Sequence, residues 1–182
     1  MTQNPVIMFN WKIFIIASVF NVLFFVWSFL RFKYKHAIYR FIAFEIIIAM
    51  ILIASPVWFH KPLAFHQVFS WIFLVLSIFF VTIGIITLVR RGEPQGHFEN
   101  TTKLVARGIY AYIRHPLYAS LLFLGIGVFI KVMCWMCFFL LVGYAAALYF
   151  TAISDEREMV DKFGHEYELY MTHTKMFIPF FF

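Results

Sequence analysis

Apolar residues along this chain come in long unbroken runs. The first covers about Phe9 to Leu30, the second about Phe41 to Phe59 and the third about Gln67 to Val89. At ~1.5 Å per helical residue, each is long enough to cross a hydrocarbon core of ~30 Å. A fourth apolar region, Leu117 to Ile153, is too long for one untilted span and reads as a helical hairpin turned at Lys131. Its arms are about Leu117 to Ile130 and Val132 to Ile153; the first is short by the ~20-residue rule, so a tilt or a thinned entry is expected. Polar residues inside the runs are few. Asn21 and Ser28 are expected to face other helices. Glu45 lies about one turn from the basic end of its run, where snorkelling or pairing with Arg40 or a loop lysine is the plain explanation and a functional carboxylate the sharper one. Ser55-Pro56 predicts a break or kink. Ala119, Ser120, Gly125 and Gly127 on one arm, and Gly143 and Ala145 to Ala147 on the other, favour close helix contact.

Between the third and fourth runs lies the long polar segment from Arg90 to His115, punctuated by Gly92, Pro94 and Gly96, with Asn100-Thr101-Thr102 turning the chain back. Pro116 has no N–H to lose in a first helical turn, so a helix is predicted to start there, leaving Arg114 and His115 at its positive dipole end. After Ile153 the character changes. Ser154 followed by Asp155, Glu156 and Arg157 predicts a new helix start. Met159, Val160, Phe163, Tyr167, Tyr170 and Met171 recur at helical spacing as one apolar face, interrupted at Gly164. The end, Met176 to Phe182, is too short to span and is expected at the membrane interface or over the bundle.

Composition agrees with a membrane protein. The chain is 63% hydrophobic and only 13% charged, where soluble domains are about half and about a quarter. The length leaves no room for a separate soluble domain, so residues 1–182 are read as one membrane domain: three helices over 1–89, then a core over 90–182. The net charge of +6 is not a nucleic-acid signal, because the basic residues fall at membrane edges. Twelve of the fifteen lysines and arginines lie after the first run, after the third run or in the tail. The positive-inside rule then places the N-terminus outside and the C-terminus in the cytoplasm, with five crossings. The first run lacks a basic lead and a small-residue cleavage site, so it is read as a retained helix. Cys134 and Cys137 form a Cys-x-x-Cys, a weak metal or redox signal, read plainly as two small apolar residues; whether they pair is left open.

That topology gathers Tyr110, Tyr112, Arg114, His115 and Tyr118 on the cytoplasmic face with Asp155 and Glu156, because the hairpin arms end side by side. An arginine can clamp a carboxylate, a carboxylate can hold an ammonium or a ribose diol, and tyrosine faces attract a cation such as a sulfonium. The set suits a zwitterionic, nucleotide-like, cationic cofactor. It does not suit a metal, since His115 has no second ligand at the usual spacing. No serine or cysteine beside a base supports covalent hydrolysis, and no Gly-rich phosphate loop is present. Singly, each residue is also explained by topology, an interfacial aromatic belt or helix-end charge; together they point to a site.

The run Gly108-Ile-Tyr-Ala-Tyr-Ile-Arg-His-Pro-Leu-Tyr118, preceded by Leu104-Val105, resembles the isoprenylcysteine carboxyl methyltransferase family and is similar to the related phospholipid N-methyltransferases. An acidic pair, then Phe163-Gly164-x-Glu166-Tyr167-x-x-Tyr170 and a closing Ile178-Pro179, extends the resemblance to about Leu104–Pro179. It implies an all-α integral membrane enzyme of about five transmembrane helices, with a cytoplasmic cofactor-binding loop and a C-terminal amphipathic helix, that uses S-adenosylmethionine to methylate a lipophilic acceptor from the bilayer. By the resemblance, Thr102, Lys103, Leu104, Val105, Tyr110, His115, Pro116, Leu117, Tyr118, Asp155 and Glu156 line the cofactor. Arg114, His115 and Glu156 are the catalytic candidates, and no metal is implied. The family usually has Glu where this chain has Asp155, so the role is expected to pass to Glu156. Four residues earlier the carboxyl methyltransferases carry an arginine that engages the substrate; Thr151 stands there, which counts against a prenylcysteine carboxylate as acceptor. The rivals are a phospholipid or small-molecule N- or S-methyltransferase, a sterol-type reductase using a nicotinamide, and a non-catalytic lipid-binding subunit.

Overall fold

The computed structural model describes residues 10–32, 37–93, 95 and 101–178. The expectations placed on Phe9, Pro94, Gly96, Asn100 and the chain from Pro179 onward lie outside the described residues. Six α-helices form among those described: α1 (Trp11–Phe32), α2 (Ala37–Ala54), α3 (Phe65–Arg91), α4 (Pro116–Val132), α5 (Trp135–Phe163) and α6 (His165–His173). No described segment is a β-strand; Ile113 and Lys175 form an isolated bridge. The protein is an all-α integral membrane protein. The segments Ile38–Val57, Phe65–Arg91 and Trp135–Phe163 are long and apolar enough to cross a bilayer, and Trp11–Trp27 and Pro116–Val132 are shorter apolar helices.

The helix ends follow local chemistry. α2 stops at Ala54 and tightens into a 3-10 turn at Ser55–Val57, where Pro56 removes the N–H that the helix would need. α4 starts at Pro116 as expected, with the carbonyl of His115 accepting the Ala119 N–H at 2.9 Å. The helix start predicted at Ser154 does not occur. α5 runs through Ser154, Asp155, Glu156 and Arg157 to Phe163 without interruption. Nothing in that stretch breaks a helix already under way, since it holds neither proline nor glycine. The break falls at Gly164, whose φ of 58° turns the chain into α6.

The chain divides into two compact units, one of residues 1–74 and 124–151, the other of residues 75–123 and 152–182. In the first, the interior face of α2 is the stripe Ala43, Ile47, Met50 and Ala54, each at most 4% exposed. On α5 it is Cys137, Tyr144, Leu148 and Thr151. These helices are apolar all round, so lateral burial is decided by size and shape rather than by hydrophobicity. Gly125 is one such decision: a Cβ there would stand 2.6 Å from the Tyr144 ring, so the missing side chain admits the tyrosine. Polar bonds fix the rest. The Ser70 hydroxyl donates to the Gly127 carbonyl at 2.7 Å. The buried Lys131 ammonium donates to Gln67 Oε1 at 2.9 Å and lies 4.0 Å from the Trp71 ring centroid and 5.2 Å from that of Trp58.

Glu45 joins α1 to α2. Its Oε2 accepts the Ser18 hydroxyl at 2.7 Å and its Oε1 accepts the Asn21 amide at 2.8 Å; the same amide is 3.3 Å from the Phe41 carbonyl. These bonds come from uncharged polar residues of α1, partners that the sequence did not point to. In a low-dielectric surrounding, each carboxyl oxygen is thereby given a donor.

In the second unit, Gly84 lets α3 approach the start of α4, since a Cβ there would meet Leu117 Cδ2 at 2.9 Å. Phe80 and Phe123 pack with ring centroids 5.1 Å apart. Beyond α3, the Gly92 carbonyl accepts the Thr102 N–H at 2.9 Å, and Lys162 on α5 donates to the Thr101 carbonyl at 2.7 Å.

The polar clamp on Glu45 makes a measurable prediction. A double-mutant cycle of Asn21→Ala and Glu45→Ala, read by reversible unfolding in lipid or detergent, should give a coupling of about 1 kcal/mol, the scale of an interhelical hydrogen bond in a bilayer. Additive single effects would mean that the two residues act independently.

Candidate functional site

The segment from Arg107 to Pro116 is shaped by its turn residues. Gly108 has a φ of 64°, which opens a 3-10 turn over Gly108–Ala111 and directs Tyr110 inward, to 6% exposure. Ile113 is fully buried, whereas Tyr112 is 56% exposed and turned away. Past α6 the chain returns beside this segment. Ile113 and Lys175 form a parallel bridge: Lys175 N–H donates to the Tyr112 carbonyl at 3.0 Å, and Arg114 N–H to the Lys175 carbonyl at 2.8 Å. His115 N–H donates to the Met176 carbonyl at 3.1 Å. The Tyr170 hydroxyl adds a bond to the Tyr110 carbonyl at 2.6 Å. The tail therefore straps the loop in place, main chain to main chain.

At the centre is one oxygen atom. Glu156 Oε1 accepts Arg114 Nε at 2.7 Å and lies 3.3 Å from His115 Nε2. The side chains of Arg114, His115 and Glu156 are only 11%, 8% and 14% exposed. Because this ion pair is largely withdrawn from water, removing either partner would leave a costly buried charge, and the remaining hydrogen bonds must be filled. They are filled from the tail. Arg114 Nη1 donates to the Met171 carbonyl at 3.1 Å and to the Thr174 carbonyl, so the guanidinium also caps the C-terminal end of α6.

Beside this pair, the Tyr118 hydroxyl donates to Asp155 Oδ2 at 2.5 Å. The ring of Tyr118 stacks on that of His115, 5.5 Å between centroids, and the ring of Phe177 is 6.2 Å from His115 on its own approach. Tyr167 and Tyr170 are buried nearby in α6. Burial pushes both phenols well above the ordinary tyrosine range; the charge of Glu156 adds to this, most for Tyr167, while that of Arg114 pulls the other way.

The residues singled out from the sequence are thus sorted by the fold. Arg114, His115, Tyr118, Asp155 and Glu156 form one connected group, with Pro116 buried under it at the start of α4. Tyr110 is buried and tied to Tyr170 through its carbonyl. Of the Thr102–Val105 stretch, Val105 is buried, Leu104 is half-buried, and Thr102 and Lys103 are exposed, with Lys103 paired to Glu93 at 2.5 Å. Leu117 is half-buried and packs toward Gly84. Thr151, fully buried on α5, turns its hydroxyl back to the Ala147 carbonyl at 2.8 Å. Sequence reasoning missed the part played by Thr174, Lys175 and Phe177, because a carbonyl that caps an arginine leaves no mark in side-chain pattern.

Among the described residues, no group of three or more histidine, cysteine, aspartate or glutamate side chains is placed to hold a metal ion. The donor set suits an organic cation better: a carboxylate beside a phenol for an ammonium, and stacked aromatic faces for a sulfonium. Searches of curated proteins and of solved structures found no match. The family model described as phospholipid methyltransferase matches residues 65–166, more than half of the 182-residue chain, from the start of α3 through the Arg114–Tyr118 loop and the Asp155–Glu156 pair into α6. The chain belongs to the phospholipid methyltransferase family.

Proposed function

We propose that this protein is an S-adenosylmethionine-dependent methyltransferase whose acceptor is the amine headgroup of a membrane phospholipid. The observation that carries the reading is the connected group Tyr118–Asp155 and His115–Glu156–Arg114, inside a family-matched region of a membrane protein. S-adenosylmethionine, when bound, supplies an electrophilic methyl group on a sulfonium. Asp155 and Tyr118 are the groups that would hold its ammonium, with the aromatic faces of Tyr118 and Phe177 toward the cationic sulfur. Val105, Leu104 and the buried start of α4 would shield the cofactor from water. Thr102, Lys103 and Tyr110 complete the lining that the family resemblance implies.

An amine acceptor must lose a proton to become nucleophilic. His115 is the candidate for this step; the 3.3 Å contact between its Nε2 and Glu156 Oε1, which would orient the imidazole, supports the reading. Arg114 acts as a positioning residue: it holds Glu156 from one side and the end of α6 from the other. Alignment of acceptor and methyl donor, with water excluded, supplies most of the acceleration in such a reaction. Thr151, in place of the arginine that carboxyl methyltransferases carry, favours an amine over a carboxylate acceptor. The clustering of lysines and arginines supports a cytoplasmic position for this face.

Calorimetry on detergent-purified protein tests the cofactor, and transfer of labelled methyl to lipid extracts tests the acceptor. Micromolar binding of S-adenosylmethionine and labelled phosphatidyl amines are expected; a folded protein that binds none would overturn the reading. His115→Ala should lower methyl transfer by about a hundredfold or more, the usual worth of a general base, while binding changes less. Asp155→Asn should weaken cofactor binding by about tenfold, the loss of one charge-assisted bond. An unchanged affinity would remove Asp155 from the binding set.

Arg114→Ala should destabilise the fold by about 3 kcal/mol, because it leaves Glu156 buried without its cation, and should open the tail to limited proteolysis. Arg114→Lys should recover part of that loss. Equal protease resistance in Arg114→Ala and wild type would show that the tail is held by other bonds.

A further inference from the structure

The turn that joins α4 to α5 reads Lys131-Val132-Met133-Cys134-Trp135-Met136-Cys137. Cys134 and Cys137 are paired as a disulfide. A link between residues three apart in sequence closes a very small loop, which restricts the unfolded chain far less than a long one would. It also joins no distant elements, since both cysteines lie at the start of one helix. Stapling is therefore a poor account of it.

The surroundings of the two sulfurs differ. Cys137 is 2% exposed, in the first turn of α5, whereas Cys134 is only partly buried, on the residue before the helix begins. The Cys137 N–H points at Cys134 Sγ, 3.1 Å away. This amide belongs to the unsatisfied set at a helix N-terminus, where partial positive charge favours a thiolate. Met133, at a φ of 46°, bends the chain so that α5 starts directly after Cys134. Lys131 adds a buried ammonium to the same turn, bonded to the neutral Gln67. An accessible sulfur with an amide donor, next to a buried partner, is the arrangement that thiol–disulfide exchange requires.

We propose that Cys134–Cys137 is a redox-active site, a reversible disulfide that exchanges with a low-molecular-weight thiol of the glutathione class. An external thiolate attacks Sγ of Cys134, the less buried of the two cysteines. The bond to Cys137 breaks, and its electron pair leaves with Cys137, which takes up a proton. A second external thiolate attacks the external sulfur of the mixed disulfide and releases Cys134 as a thiolate, stabilised by the Cys137 N–H. The balance is one protein disulfide and two thiols giving one protein dithiol and one external disulfide. Oxidation by the external disulfide runs the same steps in reverse, with Cys134 as the attacking thiolate.

The test is thiol trapping followed by mass spectrometry on native protein in detergent, and it needs no enzymatic readout. Wild type purified without reductant should show no maleimide-reactive thiol at Cys134 or Cys137 after denaturation. Millimolar reduced glutathione, added to the native protein, should make both reactive, and oxidised glutathione should close the pair again. In Cys137→Ser, oxidised glutathione should form a mixed disulfide with Cys134 and release one reduced glutathione; in Cys134→Ser treated in the same way, Cys137 should stay unmodified until the protein is denatured. A native disulfide that resists millimolar glutathione, or two thiols that never pair in oxidised glutathione, would overturn the proposal. So would an adduct on Cys137 in native Cys134→Ser. The wild-type titration decides the matter even where a variant does not fold.

Discussion

The candidate site depends on one carboxylate oxygen with two cationic or potentially cationic neighbours. Glu156 Oε1 holds Arg114 and His115 together, and neither partner is much exposed to water. A buried charge without a partner is very costly, so each member of the group fixes the others. Arg114 then carries the constraint outward, to the carbonyls of Met171 and Thr174 at the end of α6. One electrostatic requirement thus ties side chains of the loop, the end of α5 and the tail: no member of the group can be left alone.

The backbone adds a second, independent constraint. A strap held by main-chain bonds, Lys175 to Tyr112, Arg114 to Lys175 and His115 to Met176, places the loop independently of most side chains. The candidate groups are thus carried on a segment held by main-chain bonds, with the rings of His115 and Tyr118 stacked. The division of the acidic pair is also clear in these terms. Asp155 reaches the Tyr118 phenol, and Glu156, one methylene longer, reaches the arginine and histidine. The two carboxylates therefore have different partners.

Elsewhere in the chain, polar residues act as locators within an apolar surrounding. Glu45 with Ser18 and Asn21, and Lys131 with Gln67, Trp58 and Trp71, each satisfy a charged or polar group inside hydrophobic helices. In such helices the apolar side chains cannot choose a face, and these few bonds can. α1 and α2, with the Glu45 clamp, precede the family-matched residues, so this clamp is a feature of the chain beyond what the family match covers.

Much was legible from residue order. Long apolar runs are set by the thickness of a bilayer, and proline and glycine mark helix ends because they lack an N–H or a Cβ; so the five apolar helices, the start at Pro116 and the break at Gly164 could be read directly. The grouping of Arg114, His115, Tyr118, Asp155 and Glu156 was also legible, since a helical hairpin returns its two ends to one side. The continuity of α5 through Ser154 was not. A serine followed by acids is a good cap only where a helix has yet to begin, and the preceding turns decide that. Nor could the sequence determine which acid meets which base, that the α6 carbonyls cap Arg114, or that Glu45 is held by α1. Those are contacts between residues far apart in the chain, made by distances that only the packed helices set.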